Sequence, residues 1–217
     1  TPQHILKKFH EAVDNPKTHN YPPYEGIGEF RSAVASWYKR RFNVNLDPES
    51  EVLSLIGSKE GIAHIFLAFI DPGDIALLPD PCYPPYKIGT LFAGGKPYPL
   101  PLLEKNNFLP DLKKIDKKIT KRAKLLFINY PNNPTTAVAE RKFLEEAVAF
   151  ARKNKLLLCS DLAYSEIAFD GYKPISVLEI PGAKEVAIEF HSLSKTYNMA
   201  GWRIGMAVGS REAIAAL

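Results

Sequence analysis

The whole chain is best understood from one loop: Ser192-Leu193-Ser194-Lys195-Thr196-Tyr197-Asn198-Met199-Ala200-Gly201-Trp202-Arg203-Ile204-Gly205. Apolar runs at residues 186–190 and 206–208 flank this loop, and each is typical of a buried strand. A lysine, an arginine and two serines therefore lie between two elements of the predicted core.

The side chains of this loop suit a particular kind of ligand. The Lys195 amine can form a Schiff base with an aldehyde, while serine hydroxyls and the Arg203 guanidinium can hold a phosphate dianion. A phosphate-bearing aldehyde cofactor needs this combination. A solvated loop with a surface lysine and arginine explains the segment equally well, so the choice depends on the rest of the chain.

The composition is that of an ordinary globular domain. With 46% hydrophobic and 24% charged residues, 217 residues are enough for one large α/β domain with its own core. The formal charge of +4 comes without a basic run interleaved with aromatics. Lysine pairs such as Lys113-Lys114 therefore predict a solvated face, and nucleic-acid binding is not expected.

The cysteines and the hydropathy pattern bear on location. Cys82 and Cys159 lie far apart without metal-ligand spacing, so no metal site is expected. Cys159 lies in an apolar run, which predicts a buried thiol and a reducing cytoplasm. No segment is long and apolar enough to span a membrane, and no signal peptide is visible.

Short apolar runs alternate with helical patterns along most of the chain. Runs that predict strands cover residues 52–56, 75–78, 97–100, 125–129, 156–160, 186–190 and 206–208. Helical patterns cover residues 1–14, 29–42, 58–69, 84–92, 109–119, 140–154 and, more briefly, 176–180. This alternation predicts an α/β fold with a three-layer, doubly wound, mostly parallel seven-stranded sheet. Because the link to residues 206–208 contains no helix, one strand is expected to run antiparallel.

Residues just after each strand are the candidates for a site, because ligands of open α/β sheets bind at the carboxyl ends of the strands. Four segments join the Lys195 loop there: Gly57-Ser58-Lys59 at a helix start, Tyr83 among prolines, Asn133 before Pro134, and Asp161 followed by Tyr164. They offer an anion site, an aromatic platform, an amide and a carboxylate. Each also has a purely structural explanation: N-caps by Ser58 and Asp161, a turn at Asn133, and a packed ring at Tyr83.

Together these groups fit a pyridine ring that carries a phosphate, a phenolic oxygen and an aldehyde. The motifs occur in order, each at a predicted strand end, over nearly all 217 residues. On these motifs the chain resembles the cofactor-binding large domain of the fold-type I aminotransferases of class I and II. Within that family it is most similar to the aspartate and LL-diaminopimelate aminotransferases. The resemblance implies pyridoxal 5′-phosphate as the cofactor.

The resemblance also implies a role for each motif residue. Lys195 would form the Schiff base and shuttle the substrate proton, and Asp161 would pair with the pyridinium nitrogen. Tyr164 and Asn133 would hydrogen-bond the phenolic oxygen, and Tyr83 would stack on the ring. The residues expected to hold the phosphate are Ser58, Lys59, Ser192, Ser194 and Arg203.

The same resemblance implies that two subunits build each site. Residues 1–28 are expected to form an N-terminal helix and interface loop, and residues 29–217 the cofactor-binding large domain. Tyr21 is expected to reach the phosphate of the partner subunit in a homodimer, although Tyr24 competes for that role. The C-terminal small domain, which binds the substrate carboxylate in the family, is absent from this chain. The abrupt ends of the sequence predict a piece of a longer protein, which in this form is expected to be inactive alone.

Thr136 stands where the family usually has a glycine after Asn-Pro-Thr. Only glycine adopts a positive φ without strain. We therefore expect the threonine to avoid that conformation through a local change in the loop, with the Asn133 contact left in place.

The expected function is transfer of an amino group between an aspartate- or diaminopimelate-like amino acid and a 2-oxo acid. The expected partners are those small molecules and a second copy of the chain, without nucleic acid or membrane. A fold-type I carbon–sulfur lyase and a non-catalytic cofactor-binding fragment or module are the alternatives. The lyases usually vary the sequence around Asn133, so Asn132-Asn133-Pro134-Thr135 favours transamination.

Overall fold

Seven strands form one sheet in the computed structural model, which describes residues 1–217. The strands are β1 (Val52–Leu55), β2 (Ile75–Asp80), β3 (Lys96–Pro101), β4 (Ala123–Asn129), β5 (Leu157–Asp161), β6 (Ala187–Ser192) and β7 (Gly205–Gly209). The helices are α1 (Gln3–Val13), α2 (Gly28–Phe42), α3 (Ser58–Phe69), α4 (Pro84–Phe92), α5 (Lys117–Thr120), α6 (Arg141–Asn154), α7 (Leu193–Thr196) and α8 (Arg211–Ala216). None of these helices has the length and apolar character needed to cross a bilayer.

The strand order is β1-β7-β6-β5-β4-β2-β3. Neighbours among β2 to β6 pair in parallel, whereas β7 runs antiparallel to both β1 and β6. The predicted mostly parallel seven-stranded sheet with one antiparallel strand is confirmed. The reason is the one seen in the sequence: the link between β6 and β7 lacks a crossover helix, so the chain turns back beside β6, with Ser192 opposite Gly205.

Both faces of the sheet are covered, which explains why its strands are nearly continuous apolar runs. Ile75 and Leu77 of β2 belong to the core on the side of α2 and α6, while Ala76 and Leu78 belong to the core on the side of α3 and α4. Alternate residues of one strand thus fill two separate cores. This arrangement fixes the three predicted layers and leaves the strand ends as the open edge of the sheet.

The predicted helix over residues 109–119 is wrong. The chain there forms a 3₁₀ turn at Leu112–Lys114 and then the four-residue helix α5. Two aspartates cause the interruption: the Asp111 carboxylate accepts the Lys113 amide at 3.2 Å, and the Asp116 carboxylate accepts the Lys118 amide at 2.6 Å. Each aspartate starts its own short turn, which competes with a continuous helix. The short pattern over 176–180 is likewise a 3₁₀ turn, Val177–Glu179.

A buried carboxylate in the sheet ties the sheet to the elements packed on one of its faces. Glu189 of β6 is 0% exposed and has four hydrogen-bond donors. Tyr38 of α2 and Ser176 donate to Oε1 at 3.0 and 2.6 Å, and Ser160 and the Val177 amide donate to Oε2 at 3.0 Å each. Burial raises the pKa of Glu189 to about 7, although the four donors oppose that change.

We expect Glu189 to lower the free energy of unfolding as the pH rises from about 4.5 to about 7. Across this window the folded chain keeps a proton that the unfolded chain has released, so the loss amounts to roughly 3 kcal/mol. The variant Glu189→Gln should lack this contribution. Urea unfolding of both proteins at several pH values measures it.

The difference between the two proteins isolates Glu189 from His191, the neighbouring buried group on β6. Burial lowers the pKa of His191 to about 3, so His191 contributes a stability that rises with pH, opposite in sign to that of Glu189. Equal pH slopes for the wild type and Glu189→Gln would contradict the prediction.

The loop after β4 keeps a backbone conformation suited to glycine at Thr136. Its φ is +62°, so the expectation that the threonine would avoid this region is wrong. Asn132 holds the loop in place: its Oδ1 accepts the Thr135 amide at 3.0 Å and hydroxyl at 2.7 Å, and its carbonyl accepts the Thr136 amide at 2.9 Å. The hydrogen bonds of the loop thus impose strain on a β-branched residue.

We expect Thr136→Gly to raise the free energy of unfolding by about 1 kcal/mol, because it removes the left-handed strain at φ +62°. Thr135→Gly is the matched control. It removes the hydroxyl bonded to Asn132 at a residue without positive φ, and should lower stability by about 1 kcal/mol. Denaturant unfolding of the two variants tests whether the signs are opposite.

Candidate active site

A cavity of about 500 Å³ opens at the carboxyl ends of β4, β5 and β6, a size that suits a small organic cofactor. Its lining residues are Ser58, Lys59, Tyr83, Asn129, Asn133, Asp161, Ala163, Tyr164, Ser192, Ser194, Lys195, Ala200 and Arg203. These include every site residue predicted from the sequence except Tyr21. The structure therefore brings the five predicted segments to one place, while the role of each residue stays a prediction.

The Lys195 loop leaves β6 through a short helix. The Ser192 side chain caps α7 by accepting the Ser194 amide at 3.2 Å, and the Leu193 amide donates to the Ile204 carbonyl at 3.1 Å. These bonds hold the two ends of the loop together, and Lys195 lies between them as part of the cavity lining. The Lys195 side chain is solvent-exposed, and its Nζ lies 5.8 Å from the centroid of the Tyr164 ring.

One end of the cavity is suited to an anion. α3 begins there, and Gly57 precedes it with a φ of +77°. A Cβ on Gly57 would overlap Nη2 of Arg203, so glycine is what lets the guanidinium lie against this turn. No side chain caps α3, and its N-cap residue is Gly57; the alternative of an N-cap at Ser58 is therefore wrong. Amide groups at a helix start, together with Lys59 and Arg203, favour negative charge.

The charges of the lining are unequal. Three cationic side chains, Lys59, Lys195 and Arg203, face the cavity together with one carboxylate, Asp161. None of the three cations takes part in an ion pair of the chain. The surplus of unpaired positive charge suits a ligand that carries two negative charges.

Asp161 supplies a buried carboxylate to the same cavity. It is 6% exposed; its Oδ2 accepts the Tyr86 hydroxyl at 2.7 Å, and its Oδ1 accepts the Ala163 amide at 3.3 Å. Burial raises the pKa of Asp161, and the two hydrogen bonds offset part of that rise. The residues after Asp161 form turns and no helix, so the alternative of a helix N-cap is wrong.

Two tyrosines and an amide also line the cavity. Tyr83 precedes α4 and meets the ring of Tyr86 edge to face at 5.8 Å. Burial raises the pKa of Tyr164, the charge of Asp161 adds to the rise, and the Asn133 side chain lowers it in part. The hydroxyl of Tyr164 is thus a neutral donor beside an amide.

Sequence reasoning missed two residues of this region. Asn129 lines the cavity at the end of β4; its Nδ2 donates to the Asp161 carbonyl at 2.7 Å, and its Oδ1 accepts the Asn133 amide at 2.9 Å. It thereby joins two of the predicted segments. Tyr86 holds Asp161 from outside the cavity. The sequence did contain a signal for each residue. Asn129 is a polar residue at the end of an apolar strand, and Tyr86 lies one helical turn after Tyr83.

Tyr21 lies elsewhere. Its side chain and that of Tyr24 are fully exposed, and neither residue lines the cavity. Residues 19–27 form irregular structure between a 3₁₀ turn and α2. A single chain therefore leaves both tyrosines available for a contact outside it.

Comparisons with known proteins agree with this geometry. The chain is 58% identical to the LL-diaminopimelate aminotransferase of Syntrophobacter fumaroxidans and 59% identical to that of Aquifex aeolicus, in each case over all of this chain and 56% of the relative. The chain thus spans about half the length of these relatives. Among solved structures, substrate-bound BacF from Bacillus subtilis matches the whole chain with a TM-score of 0.96 and 44% identity, over 55% of its own length.

The family model for class I and II aminotransferases matches residues 1–217. The match has the same extent as the sheet, its helical layers and the cavity described above. The chain therefore belongs to the class I and II aminotransferases, which are pyridoxal-phosphate-dependent enzymes.

Proposed function

We propose that the protein transfers an amino group between an amino acid and a 2-oxo acid with pyridoxal 5′-phosphate bound in the cavity. The observation that carries the proposal is the lining itself, which combines the unpaired cations Lys59, Lys195 and Arg203 with a buried carboxylate, that of Asp161. A ligand with a dianion at one end and a basic nitrogen at the other matches both.

The donor set fits the cofactor at each of its groups. A phosphate dianion requires several hydrogen-bond donors, and one group of lining residues supplies them together with the start of α3. These residues are Ser58, Lys59, Ser192, Ser194 and Arg203. Asp161 offers a carboxylate in need of a charged partner, because burial disfavours its ionised form. Asn133 and Tyr164 offer donors for a phenolic oxygen, and Tyr83 offers an aromatic face.

When bound, pyridoxal phosphate supplies an aldehyde that bonds to amino groups and a ring that draws electrons from the substrate Cα. Lys195 Nζ is the amine of the lining that would bond to this aldehyde, and once released by substrate it would carry the proton to and from Cα. Asp161 would hold a proton at the ring nitrogen.

The relatives favour one class of substrate. Those reported above are named LL-diaminopimelate aminotransferases, and we propose a diaminopimelate-like amino acid, with an aspartate-like one as the less favoured choice. The carbon–sulfur lyase is not favoured, since these relatives are transaminases in name. A non-catalytic module is not favoured either, because the cavity carries Lys195, the amine that the proposed amino-group transfer needs.

We also propose that the working enzyme is a cytoplasmic homodimer. Residues 1–28 contain the exposed Tyr21 and Tyr24, and α1 has no buried residue, as expected of an interface segment. In this proposal residues 29–217 form the cofactor-binding large domain, and the substrate carboxylate is bound outside them. Cys82 and Cys159 are free thiols, which agrees with a reducing compartment.

Replacement of Lys195 tests the central role. The wild-type protein, loaded with pyridoxal phosphate, should be yellow and should keep the cofactor covalently after borohydride reduction. Lys195→Ala should keep none after denaturation, and its transamination rate should fall roughly 10²-fold or more. The matched control is Lys59→Ala, which loses a cation of the same cavity; it should keep the covalent adduct and bind the cofactor more weakly. Covalent cofactor in Lys195→Ala would refute the proposed role.

Subunit mixing tests the role of Tyr21. Tyr21→Ala should lower cofactor affinity about tenfold if its hydroxyl donates to phosphate. A purified heterodimer of one Tyr21→Ala subunit and one Lys195→Ala subunit should then recover about half of the wild-type activity, because one of its two sites regains both residues.

The same experiment with Tyr24→Ala is the control for an exposed tyrosine in the same segment. If activity recovers in the heterodimer made with Tyr24→Ala but not in the one made with Tyr21→Ala, then Tyr24 is the residue that serves the site of the partner subunit. Absence of recovery in both would show that neither tyrosine serves the site of the partner subunit.

A further inference from the structure

Tyr86 is a fully buried tyrosine whose hydroxyl contacts the site from outside the cavity. It is 0% exposed, and its hydroxyl donates to Asp161 Oδ2 at 2.7 Å. It is not among the residues that line the cavity. Its hydroxyl can therefore act on the cofactor only through Asp161.

The surroundings of Tyr86 hold it firmly. Its ring packs against Phe127 of β4 with a centroid distance of 4.7 Å and meets Tyr83 at 5.8 Å. Its carbonyl accepts the Thr90 hydroxyl at 2.8 Å within α4. The hydroxyl position is thus set by a packed core on one side and by the carboxylate on the other.

The hydroxyl is also a permanent donor. Burial, followed by the charge of Asp161, raises the pKa of Tyr86 well above its ordinary value, so the phenol is protonated at neutral pH. A buried neutral phenol next to a carboxylate can only donate to it.

We propose that Tyr86 is a positioning residue for amino-group transfer: it occupies one oxygen of Asp161 and so keeps the proton shared between Asp161 and the ring nitrogen of the cofactor on that nitrogen. The inference rests on the function proposed above. It adds a residue of α4 to the machinery that keeps the ring positively charged.

The number of donors at Asp161 determines how basic its carboxylate is. The Tyr86 hydroxyl and the Ala163 amide, the latter at 3.3 Å, are its only side-chain hydrogen bonds within the chain. Removing the shorter one leaves an under-solvated carboxylate, which becomes more basic. A more basic Asp161 would compete with the ring nitrogen for the proton, and a neutral ring draws electrons less strongly from the substrate.

Other groups near Asp161 cannot replace Tyr86. Tyr164 and Lys195 share the cavity, but neither hydrogen-bonds the carboxylate. Asn129 donates to the Asp161 backbone carbonyl and leaves the carboxylate untouched. Tyr86 is therefore the one side chain of this chain placed to control the basicity of Asp161.

The test uses the whole holoenzyme loaded with pyridoxal phosphate that carries ¹⁵N in the ring. In the wild type the ring ¹⁵N chemical shift should be that of a protonated pyridine. In Tyr86→Phe it should move toward the unprotonated value, and kcat should fall about tenfold to hundredfold with little change in KM. The control Tyr130→Phe removes another buried hydroxyl, bonded to the Phe108 carbonyl at 2.7 Å and outside the cavity, and should leave the shift in place.

A cofactor analogue with carbon in place of the ring nitrogen separates the proposal from a general packing effect. With this analogue the wild type and Tyr86→Phe should react at equal rates, because there is no ring proton to control. An equal loss of rate with both cofactors, or an unchanged ¹⁵N shift in Tyr86→Phe, would overturn the proposal.

Site-specific replacement of Tyr86 by 3-fluorotyrosine covers the case in which Tyr86→Phe does not fold, because it keeps the ring and the hydroxyl. Its hydroxyl is a stronger donor. The pH at which the ring nitrogen loses its proton, followed by the ¹⁵N shift, should therefore rise, whereas Tyr86→Phe should lower it.

Failure of this inference is distinguishable from failure of the proposed function. A wild-type protein that takes up no cofactor overturns the proposed function, and this inference with it. A wild-type holoenzyme with a protonated ring that Tyr86→Phe does not change overturns the role of Tyr86 alone.

Discussion

Burial of the Asp161 carboxylate at the end of β5 is the constraint around which the site is organised. A carboxylate removed from water must be partnered, and the chain meets this need from two directions. Tyr86 approaches from α4 and the Ala163 amide from the turn that follows, while Asn129 fixes the backbone carbonyl of the same residue. The parallel order of β2, β4 and β5 is what brings these residues within reach, because it gathers the carboxyl ends of the three strands at one edge.

A comparison with Glu189 shows why Asp161 belongs to a site and Glu189 to the scaffold. Both carboxylates are buried, on neighbouring strands of one sheet. Glu189 has four donors inside the core, which use both of its oxygens and leave no place for a ligand. Asp161 has two donors and borders the cavity. Hydrogen bonds within the core compensate for the burial of Glu189. The burial of Asp161 is compensated only in part, which leaves room for a charged ligand beside its carboxylate.

The sequence predicts the sheet and the membership of the cavity well, because both depend on patterns with a direct physical cause. Continuous apolar runs require a sheet covered on both faces, and the absence of a helix before β7 requires an antiparallel return. It predicts less where side chains compete with backbone patterns: Asp111 and Asp116 break the helix expected over 109–119. Asn129 and Tyr86 were missed since their shared partner, Asp161, is distant in sequence from both and comes beside them only in the folded sheet.

Backbone strain is present in two of the loops that carry the site. Asn198 and Arg203 in the Lys195 loop and Thr136 in the Asn133 loop all have positive φ without being glycine. Strain of this kind persists only where surrounding contacts over-determine the loop, as the Asn132 bonds do for Thr136 and as the β6–β7 pairing does for residues 193–204. In the Lys195 loop the strained residue lines the cavity: the left-handed turn at Arg203 lays its guanidinium against Gly57 at the start of α3. The anion end of the cavity therefore exists because two unusual backbone conformations, at Gly57 and Arg203, face one another, and neither local propensity alone would have produced them.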